Sequence, residues 1–477
     1  MFKFAAFLRI DNVTINPFIP NDIYAYLRDV LVVMTQEMFE AIDGFNSLNN
    51  LGATISKLII IGEPTQIDER CVYVKDIKEC IKYLSANYPN QDWWFVGDNA
   101  TANEMIRKGL IMDVYITKSY ATPETVEYET VELHSVIQDE LFDRSLLDDP
   151  AIGFNLISNT QQRYPTRSIR HYMRRNIEEQ MLLSVMNDII NNGHRRPNRT
   201  GVDTRSVFGR QFEYKMIERV DPTTGKSSFR LPLLTTKKMF SRGVFAELKW
   251  FLRAGTNSKD LEKKNVNIWK GNSSREYLDS IGLDYEEGQC GPIYGFQWRH
   301  YGAEWSQDET DYTGKGIDQV AAVIDSLQKD PYGRRHIING WAPHQLKEMA
   351  LPPCHILYQF YVEEKDGETY LSLMMTQRSC DVFLGLPFNV MSCSLFLLMM
   401  AHRVGMKPYR FVHNTADTHI YENHIDASMQ QIQREPCMFP YVSITCDPKE
   451  HLEDYEFSEI SIEDYFSHNT IKADMVA

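Results

Sequence analysis

A cysteine that follows two prolines is the first pattern in the sequence that points to chemistry. In the segment LPPCH at residues 351–355, the prolines fix the backbone immediately before Cys354. A thiol has a reference pKa of about 8.5, so it needs a nearby cation to act as a nucleophile at neutral pH. Arg378 can supply that cation, in a segment with three further polar side chains: Ser379, Asp381 and Asn389. A buried structural cysteine is the alternative, and these neighbours weigh against it.

The residues between the cysteine and this polar segment predict a β-hairpin. His355–Val362 and Thr369–Met375 are rich in β-branched and aromatic residues, and they flank a turn at residues 365–367, KDG. Such a hairpin returns the polar segment to the side of Cys354.

Two motifs, PPCH at residues 352–355 and QRSCDVFLGLPFN at residues 377–389, closely resemble thymidylate synthase. This family methylates dUMP with methylenetetrahydrofolate. The resemblance runs from about Ile177 to the C-terminus, and it implies an α+β thymidylate synthase fold for residues 176–477. It also implies that the Cys354 thiolate attacks C6 of dUMP with the help of Arg378, that C5 then attacks the folate's one-carbon unit, and that no metal is needed.

The resemblance assigns further catalytic roles. Glu247 lies in an apolar helical stretch, where a carboxylate is either paired or functional because dehydration penalises its charge. The family resemblance implies that Glu247 organises water and transfers protons around the pyrimidine O4. It also implies that Tyr294 helps to remove the C5 proton. Asn389 would read O4 and N3 of uracil. The implied catalytic set is Cys354, Glu247, Tyr294, Arg378, Asp381 and Asn389.

Nucleotide binding is implied for a larger set. Adjacent guanidinium groups at positions 334 and 335 suit a dianionic phosphate, and in the family this pair reaches the neighbouring subunit's site, so the resemblance implies a homodimer. His419 and Tyr421, two apart in an extended segment, would hold the ribose 3′-hydroxyl. The implied substrate-binding residues are Arg199, Arg334, Arg335, Gln377, Arg378, Ser379, Asp381, Gly385, Asn389, His419 and Tyr421.

The folate would lie against residues that include Trp269 and the C-terminal tail, which closes over the ligands in the family. The implied folate-binding residues are Ile268, Trp269, Asp381, Leu384, Gly385, Phe388 and Ala477. Two residues depart from the family pattern: Lys270 stands where aspartate is usual and Ala342 where asparagine is usual. These changes leave a uracil hydroxymethylase open as an alternative, whereas a cytosine-specific one would be expected to carry aspartate at position 389.

Residues 1–149 predict an α/β domain. Strands are expected at Lys3–Ile10, Val30–Thr35, Lys57–Gly62, Cys71–Lys75, Trp93–Gly97 and Asp113–Ser119, with helices at Glu37–Ile42, Asp76–Ser85 and Asn99–Leu110. Several segments, including WFVGD at residues 94–98, resemble dihydrofolate reductase in the order found in fused reductase–synthase enzymes.

The departures from the reductase pattern bear on whether residues 1–149 have reductase activity. Asp98 replaces the second glycine of the turn at the NADPH phosphates, where a carboxylate would repel the pyrophosphate. The acid that protonates the pterin has no clear counterpart, although Asp22 could be a displaced one. We therefore interpret residues 1–149 as a reductase-like scaffold without activity, with a fully bifunctional enzyme, using NADPH, as the alternative. Residues 150–175 are polar and locally basic, and they predict a linker.

Composition narrows the classes of partner. With 50 Lys and Arg against 65 Asp and Glu, the net charge of -15 disfavours a broad nucleic-acid or membrane surface. The eight cysteines show no paired spacing, which indicates a reducing, cytoplasmic location and gives no metal site. No run is expected to reach the length of a membrane span. A non-catalytic nucleic-acid-binding protein is the alternative of another class, and the acidic balance argues against it.

Overall fold

The computed structural model describes residues 4–9, 28–41, 54–64, 67–88, 93–96, 99–111, 113–119, 155–162, 167–221 and 224–476. The chain divides into two compact units: residues 1–176 with 433–438, and residues 177–432 with 439–477.

Unit 1 is built on an eight-stranded sheet of order β4-β3-β2-β5-β1-β6-β8-β7. Its strands are β1 (Phe4–Arg9), β2 (Arg28–Thr35), β3 (Thr54–Ile61), β4 (Cys71–Val74), β5 (Trp93–Val96), β6 (Asp113–Ser119), β7 (Asn155–Gln162) and β8 (Arg167–Met173). Its helices are α1 (Gln36–Ala41), α2 (Ile77–Asn87) and α3 (Asn99–Arg107). The pairings from β4 through to β6 are parallel, and the central strands β2, β3 and β5 carry fully buried residues, as expected for parallel strands covered on both faces.

The prediction of a linker at residues 150–175 is wrong over two stretches. β8 pairs antiparallel with β6 from Asp113↔Met173 to Ser119↔Arg167, and β7 pairs antiparallel with β8. Arg174 is buried, and its guanidinium donates to the carbonyl oxygens of Ile111 (2.7 Å) and Ile106 (2.9 Å). These polar residues form strands because their backbones hydrogen-bond to the edge of the sheet. Such strands lack the hydrophobic periodicity by which a strand is predicted from sequence.

Unit 2 contains a six-stranded sheet of order β13-β14-β15-β16-β10-β9 and a four-stranded sheet of order β11-β12-β17-β18. The strands are β9 (His194–Arg196), β10 (Thr204–Lys215), β11 (Glu218–Val220), β12 (Ser227–Arg230), β13 (Ile337–Asn339), β14 (His355–Lys365), β15 (Glu368–Asp381), β16 (Lys407–Tyr421), β17 (Tyr441–Ile444) and β18 (Ile460–Glu463). The helices are α4 (Ile177–Asn192), α5 (Ser241–Leu252), α6 (Lys259–Glu262), α7 (Arg275–Ser280), α8 (Tyr294–His300), α9 (Gln319–Lys329), α10 (Gly385–Val404) and α11 (Ile425–Ile432).

The predicted hairpin is confirmed as β14 and β15, which pair antiparallel across a two-residue turn. Asp366 (φ 54°) and Gly367 (φ 80°) both adopt positive φ angles, as the tightest hairpin turns require. β15 then continues to Asp381 beside β16, so the polar segment ends next to the strand that carries His419 and Tyr421.

The sequence from Phe229 to Thr236 is typical of a strand, but β12 ends at Arg230. The backbone N–H groups of Thr235 and Thr236 donate instead to the carboxylate of Glu179, at 2.9 and 2.8 Å from Oε1. Glu179 is fully buried on α4. A side chain from a distant helix therefore replaces the strand partner.

The core of unit 2 lies between the six-stranded sheet and α10. Trp298 of α8 stacks on Phe396 of α10 at 5.2 Å, and Tyr358 of β14 meets Trp298 edge-on at 5.1 Å. α10 is 20 residues long and apolar enough to cross a membrane by length and composition, contrary to the expectation from the sequence, and 78% of its most apolar window is buried inside the protein. It is the central helix of the core, and it ends at Gly405, which takes the left-handed conformation (φ 74°).

Candidate active site

A cavity of about 580 Å³ lies in unit 2, where β15, β16, α5 and α8 converge. This volume lies in the range of small-molecule sites. Its lining includes most of the residues that the sequence predicts for the site: Arg199, Glu247, Trp269, Tyr294, Cys354, Gln377, Arg378, Ser379, Asp381, Gly385, Asn389, His419 and Tyr421.

Cys354 is partly exposed at the start of the hairpin. Its backbone N–H donates to the Tyr294 hydroxyl oxygen at 2.8 Å. The Arg378 guanidinium donates to the carbonyl oxygens of Pro353 (Nε, 2.9 Å) and Pro352 (Nη2, 2.8 Å). The two prolines thus anchor the cation beside the segment that ends in the thiol.

Tyr294 is placed by close helix packing. A Cβ atom at the next residue, Gly295, would lie 2.2 Å from the carbonyl oxygen of Phe251, so only glycine lets α8 approach α5 this closely. The rings of Tyr294 and Phe251 stack at 4.8 Å. Burial raises the pKa of Tyr294 well above its usual value, so the phenol keeps its proton and can donate it into the cavity.

Glu247 projects from α5 and accepts a hydrogen bond from Trp269 Nε1 at 2.8 Å. Loss of hydration raises the pKa of Glu247 to about 7, although the indole N–H favours the charged form. A carboxyl group with a pKa near neutrality can both accept and return a proton at physiological pH. This is the behaviour expected of a proton relay.

Asn389, on the first turns of α10, is oriented from behind by Gln377. The Gln377 amide donates to Asn389 Oδ1 (3.1 Å) and to the Ser379 carbonyl oxygen (2.8 Å), and its own oxygen lies 2.7 Å from His413 Nε2. Burial lowers the pKa of His413 to about 3, so its imidazole is neutral. Gln377 thus holds the Asn389 oxygen, His355 hydrogen-bonds the same amide, and Asn389 faces the cavity.

His419 and Tyr421 lie on one face of β16 and line the cavity, with their rings edge-on at 5.3 Å. Asp417, two residues earlier on the same face, places Oδ1 3.2 Å from His419 Nδ1. Asp417 Oδ2 accepts from Arg196 Nη1 at 2.5 Å. Both Arg196 and Asp417 line the cavity.

The predicted phosphate-binding cations lie in two places. Arg199 lines the cavity, with its guanidinium carbon 5.7 Å from the centre of the Tyr277 ring, and Arg378 and Ser379 also line it. Arg334 and Arg335 are exposed just before β13, and they are not part of the cavity wall. Within one chain, the structure does not bring this pair to the site.

On the predicted folate side, Trp269, Asp381 and Gly385 line the cavity. Three other predicted residues, Ile268, Leu384 and Phe388, are half-buried and pack against the core instead of lining the cavity. Ala477 lies outside the described residues, but its neighbour Val476 lines the cavity. The tail is fixed upstream, where buried His424 Nε2 lies 2.7 Å from the carbonyl oxygen of Asp474.

The two departures from the family pattern lie outside the cavity wall. Lys270 is exposed, and its ammonium group lies 4.0 Å from the Glu262 carboxylate. Ala342 is completely buried in the core. Neither side chain therefore forms a new surface for a ligand.

Sequence reasoning missed seven polar residues that line the cavity: Arg196, Asn198, Thr200, Thr204, Asn272, His355 and Asp417. Asp417 could have been found, because it continues the alternate-residue face of His419 and Tyr421 toward the N-terminus. Arg196 and Thr204 pair with each other on neighbouring strands, and Thr204 pairs in turn with Tyr421. Only this register shows that Arg196 borders the site.

Comparison with known proteins agrees with the resemblance found in the sequence motifs. Residues 180–477 match the family model described as thymidylate synthase. The probable thymidylate synthase of Schizosaccharomyces pombe is 41% identical over 79% of this chain, which spans 59% of that relative's length. The bifunctional dihydrofolate reductase-thymidylate synthase of Leishmania major is 43% identical over 64% of this chain, which spans 56% of its length. The protein of the same name from Paramecium tetraurelia is 35% identical, covering 93% of this chain and 90% of its own length.

Proposed function

The chain belongs to the thymidylate synthase family, with the thymidylate synthase fold in its C-terminal region, and on this premise we propose that it converts dUMP to dTMP with methylenetetrahydrofolate. The observation that carries the proposal is the single cavity that gathers Cys354, Glu247, Tyr294, Arg378 and Asn389. These residues supply a nucleophile, a proton relay, a phenol, a cation and an amide donor around one space.

In the proposed reaction, the Cys354 thiolate adds to C6 of the uracil, and the negative charge moves to C5 and O4. The Asn389 NH₂ group donates to O4, because Gln377 holds the amide oxygen on the other side. Glu247, with a pKa of about 7, manages the proton at O4. The bound folate supplies the one-carbon unit and the hydride, and it leaves as dihydrofolate.

Tyr294 and Cys354 act together in the later steps. The Tyr294 oxygen accepts the Cys354 backbone N–H, so the phenol lies next to the nucleophile and keeps its proton. Tyr294 thus assists removal of the C5 proton through hydrogen bonding to a water or substrate oxygen, since an un-ionised phenol is not itself the base. Expulsion of the thiolate from C6 then releases dTMP.

Folate binding fits the part of the cavity around Trp269, next to Glu247 and Tyr294. The indole of Trp269 and the ring of Phe251, which meet edge-on at 6.2 Å, give aromatic contacts for a pterin, and Asp381, Asn272 and Gly385 give polar contacts beside them. Val476 places the C-terminal tail at the same space. The lining therefore suits a second ligand stacked beside the nucleotide.

We also propose that the active unit is a homodimer in which Arg334 and Arg335 reach the partner's phosphate site. Residues that pair across neighbouring strands of the six-stranded sheet form rows, and two adjacent rows differ sharply in burial. One row, Ile338–Tyr358–Met375–His413, is fully buried, whereas the next row, Ile337–Gln359–Met374–Val412, is half-exposed or exposed. A second copy covering this partly apolar face would bury it, and the exposed arginine pair lies at its edge.

Mixing two inactive variants tests the dimer. Cys354→Ala removes the nucleophile, and the double change Arg334→Gln with Arg335→Gln removes the phosphate cations. If the arginines act across the interface, mixed dimers contain one intact site, and activity returns after subunit exchange. No recovery, with exchange verified by mass spectrometry of the mixed dimer, would contradict the arrangement.

For unit 1 we propose a reductase-like scaffold without reductase activity. Its mostly parallel sheet and the match to the Paramecium tetraurelia protein over 93% of the chain support a dihydrofolate-reductase-like fold. Gly97, Asp98 and Asp22, on which the activity question depends, lie outside the described residues. A cytoplasmic location is consistent with the eight cysteines, all of them free.

Two parallel assays test these proposals. In the first, purified protein is incubated with dUMP and methylenetetrahydrofolate, and the nucleotide product is identified by mass, with Cys354→Ala as the control. In the second, NADPH oxidation is followed with dihydrofolate. We expect dTMP and no NADPH oxidation; hydroxymethyl-dUMP would contradict the synthase proposal, and NADPH consumption would contradict the scaffold proposal.

A further inference from the structure

We propose that Arg196 and Asp417 form a positioning pair that orients His419 toward the 3′-hydroxyl of the nucleotide. This inference rests on the proposed function, because it takes dUMP as the ligand of the cavity. It adds Arg196 and Asp417, which do not belong to the predicted site. Asp417 orients His419, and Arg196 holds the Asp417 carboxylate.

The three side chains form a chain of polar contacts along the cavity wall. Asp417 Oδ2 accepts from Arg196 Nη1 at 2.5 Å, and Asp417 Oδ1 lies 3.2 Å from His419 Nδ1. Asp417, His419 and Tyr421 share one face of β16, since side chains alternate along a strand. Arg196 comes from β9, two strands away, in register with Thr204 and Tyr421.

The Asp417 carboxylate decides which nitrogen of His419 carries the proton. An ionised carboxylate can only accept, so the His419 nitrogen that faces it, Nδ1, is the nitrogen that donates. Nε2 is then left as an acceptor for a hydroxyl group in the cavity. The hydrogen bond from His419 lowers the pKa of Asp417, and so does the charge of Arg196, which keeps the carboxylate ionised.

Arg196 holds the carboxylate from the solvent side. Its side chain is 56% exposed, whereas that of Asp417 is 30% exposed and that of His419 is 9% exposed. Arg196 directly precedes the 197–201 loop, which carries Arg199. The contact between Arg196 and Asp417 therefore also links this loop to β16. We therefore expect Asp417 to matter more than Arg196, whose ion pair is largely solvated.

Comparing the binding of two nucleotides tests whether His419 is oriented toward the 3′-hydroxyl, and this test does not rely on turnover. dUMP and its 3′-deoxy analogue, 2′,3′-dideoxyuridine 5′-monophosphate, are titrated by calorimetry into the wild-type protein and into Asp417→Ala, Asp417→Asn and Arg196→Gln. The matched control is Arg195→Gln. Arg195 lies on the same strand and pairs with Asp203 at 2.8 Å, and it does not line the cavity.

The wild-type protein should prefer dUMP over the 3′-deoxy analogue by about tenfold, the effect of one well-placed hydrogen bond. Asp417→Ala should reduce this preference to roughly twofold or less, because His419 can then turn or change tautomer. Asp417→Asn, which keeps an acceptor oxygen, should restore part of it. Arg196→Gln should reduce the preference by about twofold, and Arg195→Gln should leave it unchanged.

A general distortion of the site gives a different pattern, in which Asp417→Ala weakens both nucleotides equally and the preference survives. That result, or a wild-type protein that binds both nucleotides equally well, would overturn the inference while leaving the proposed function standing. A wild-type protein that neither binds nor converts dUMP would overturn both. Thermal melting of each variant shows whether it folds, and Asp417→Asn provides the informative variant if Asp417→Ala does not.

Discussion

The side of the cavity that would hold the pyrimidine is buried and fixed by hydrogen bonds, whereas the side that would hold the phosphate is exposed. We call the first the base wall (Glu247, Tyr294, Gln377 and Asn389) and the second the phosphate rim, which consists of Arg199 in the cavity and of the exposed pair Arg334 and Arg335 that the proposed dimer brings to the site. In the base wall, every member has a hydrogen-bond partner, and Tyr294 and Gln377 are almost completely buried. The members of the phosphate rim are exposed.

The difference follows from what each region must recognise. Reading a base requires donors and acceptors at fixed positions, and a buried amide or carboxyl group out of place is costly because its hydrogen bonds go unmade. A phosphate dianion attracts any nearby cation, so flexible exposed arginines suffice. We therefore expect changes in the base wall to affect turnover and base choice, and changes in the phosphate rim to affect mainly binding.

The largest effect on activity within the base wall is expected for Glu247→Gln. Glutamine keeps the size and the hydrogen bond from Trp269 but cannot exchange a proton, so kcat should fall by about 10²- to 10⁴-fold. Steady-state kinetics with dUMP and methylenetetrahydrofolate measure this. A Glu247→Gln enzyme within threefold of the wild type would remove Glu247 from the proton relay.

The same variant should change how stability depends on pH. The pKa of Glu247 is raised by burial from 4.5 to about 7, so the folded state binds more protons than the unfolded state between these values. The wild-type protein should therefore lose stability as pH rises through this window, by up to about 3 kcal/mol relative to Glu247→Gln. Urea unfolding of both proteins at pH 5 and pH 8 tests the sign. An unchanged difference between them would mean that Glu247 ionises normally.

Base choice should change with Asn389→Asp. An aspartate at this position, with Gln377 still donating from behind, presents an acceptor where uracil O4 also accepts. The value of kcat/KM for dUMP should fall by about 100-fold, and binding of dCMP, whose N4 amino group donates, should improve. Competition binding of the two nucleotides measures the shift. Equal losses for both would contradict a direct role of Asn389 in reading the base.

Within the phosphate rim, Arg199→Gln should raise KM for dUMP by about tenfold with little change in kcat, because one exposed cation is lost. The effect should shrink as salt is added, since salt screens exposed charges. Arg195→Gln is the matched control on the preceding strand. A fall in kcat at saturating dUMP would show that the phosphate rim also orders the reacting atoms.

The smallest effect is expected for Lys270→Asp, which restores the usual residue of the family. The Lys270 side chain is 68% exposed and lies outside the cavity wall, so kinetic constants should change by less than about twofold. Assays with varied folate concentration are the most sensitive measurement. A larger change in KM for the folate would show that position 270 acts on the folate side.

Much of the site could be predicted from local sequence. The hairpin of β14 and β15 follows from two β-rich runs around Asp366-Gly367. The motif residues Cys354, Gln377, Arg378 and Asn389 meet because that hairpin and the start of α10 bring their short segments together. Where neighbouring residues dictate geometry, the sequence is sufficient.

Other features depended on partners far away in the chain. Residues 155–162 and 167–173 form strands because β6 offers a free edge, and residues 235–236 are outside any strand because the Glu179 carboxylate accepts their N–H groups. α10 has the composition of a membrane span, and only the sheet and helices around it make it a core helix.

The sequence by itself determined the chemical groups of the site, since these are fixed by side-chain type and by short motifs. The tertiary structure decided their protonation and their partners: the raised pKa of Glu247, the orientation of Asn389 by Gln377, and the contact of Arg196 with Asp417. The reason is physical. Dehydration and strand register depend on what surrounds a residue in space, and residues more than two hundred positions apart provide that surrounding for Arg196 and Asp417.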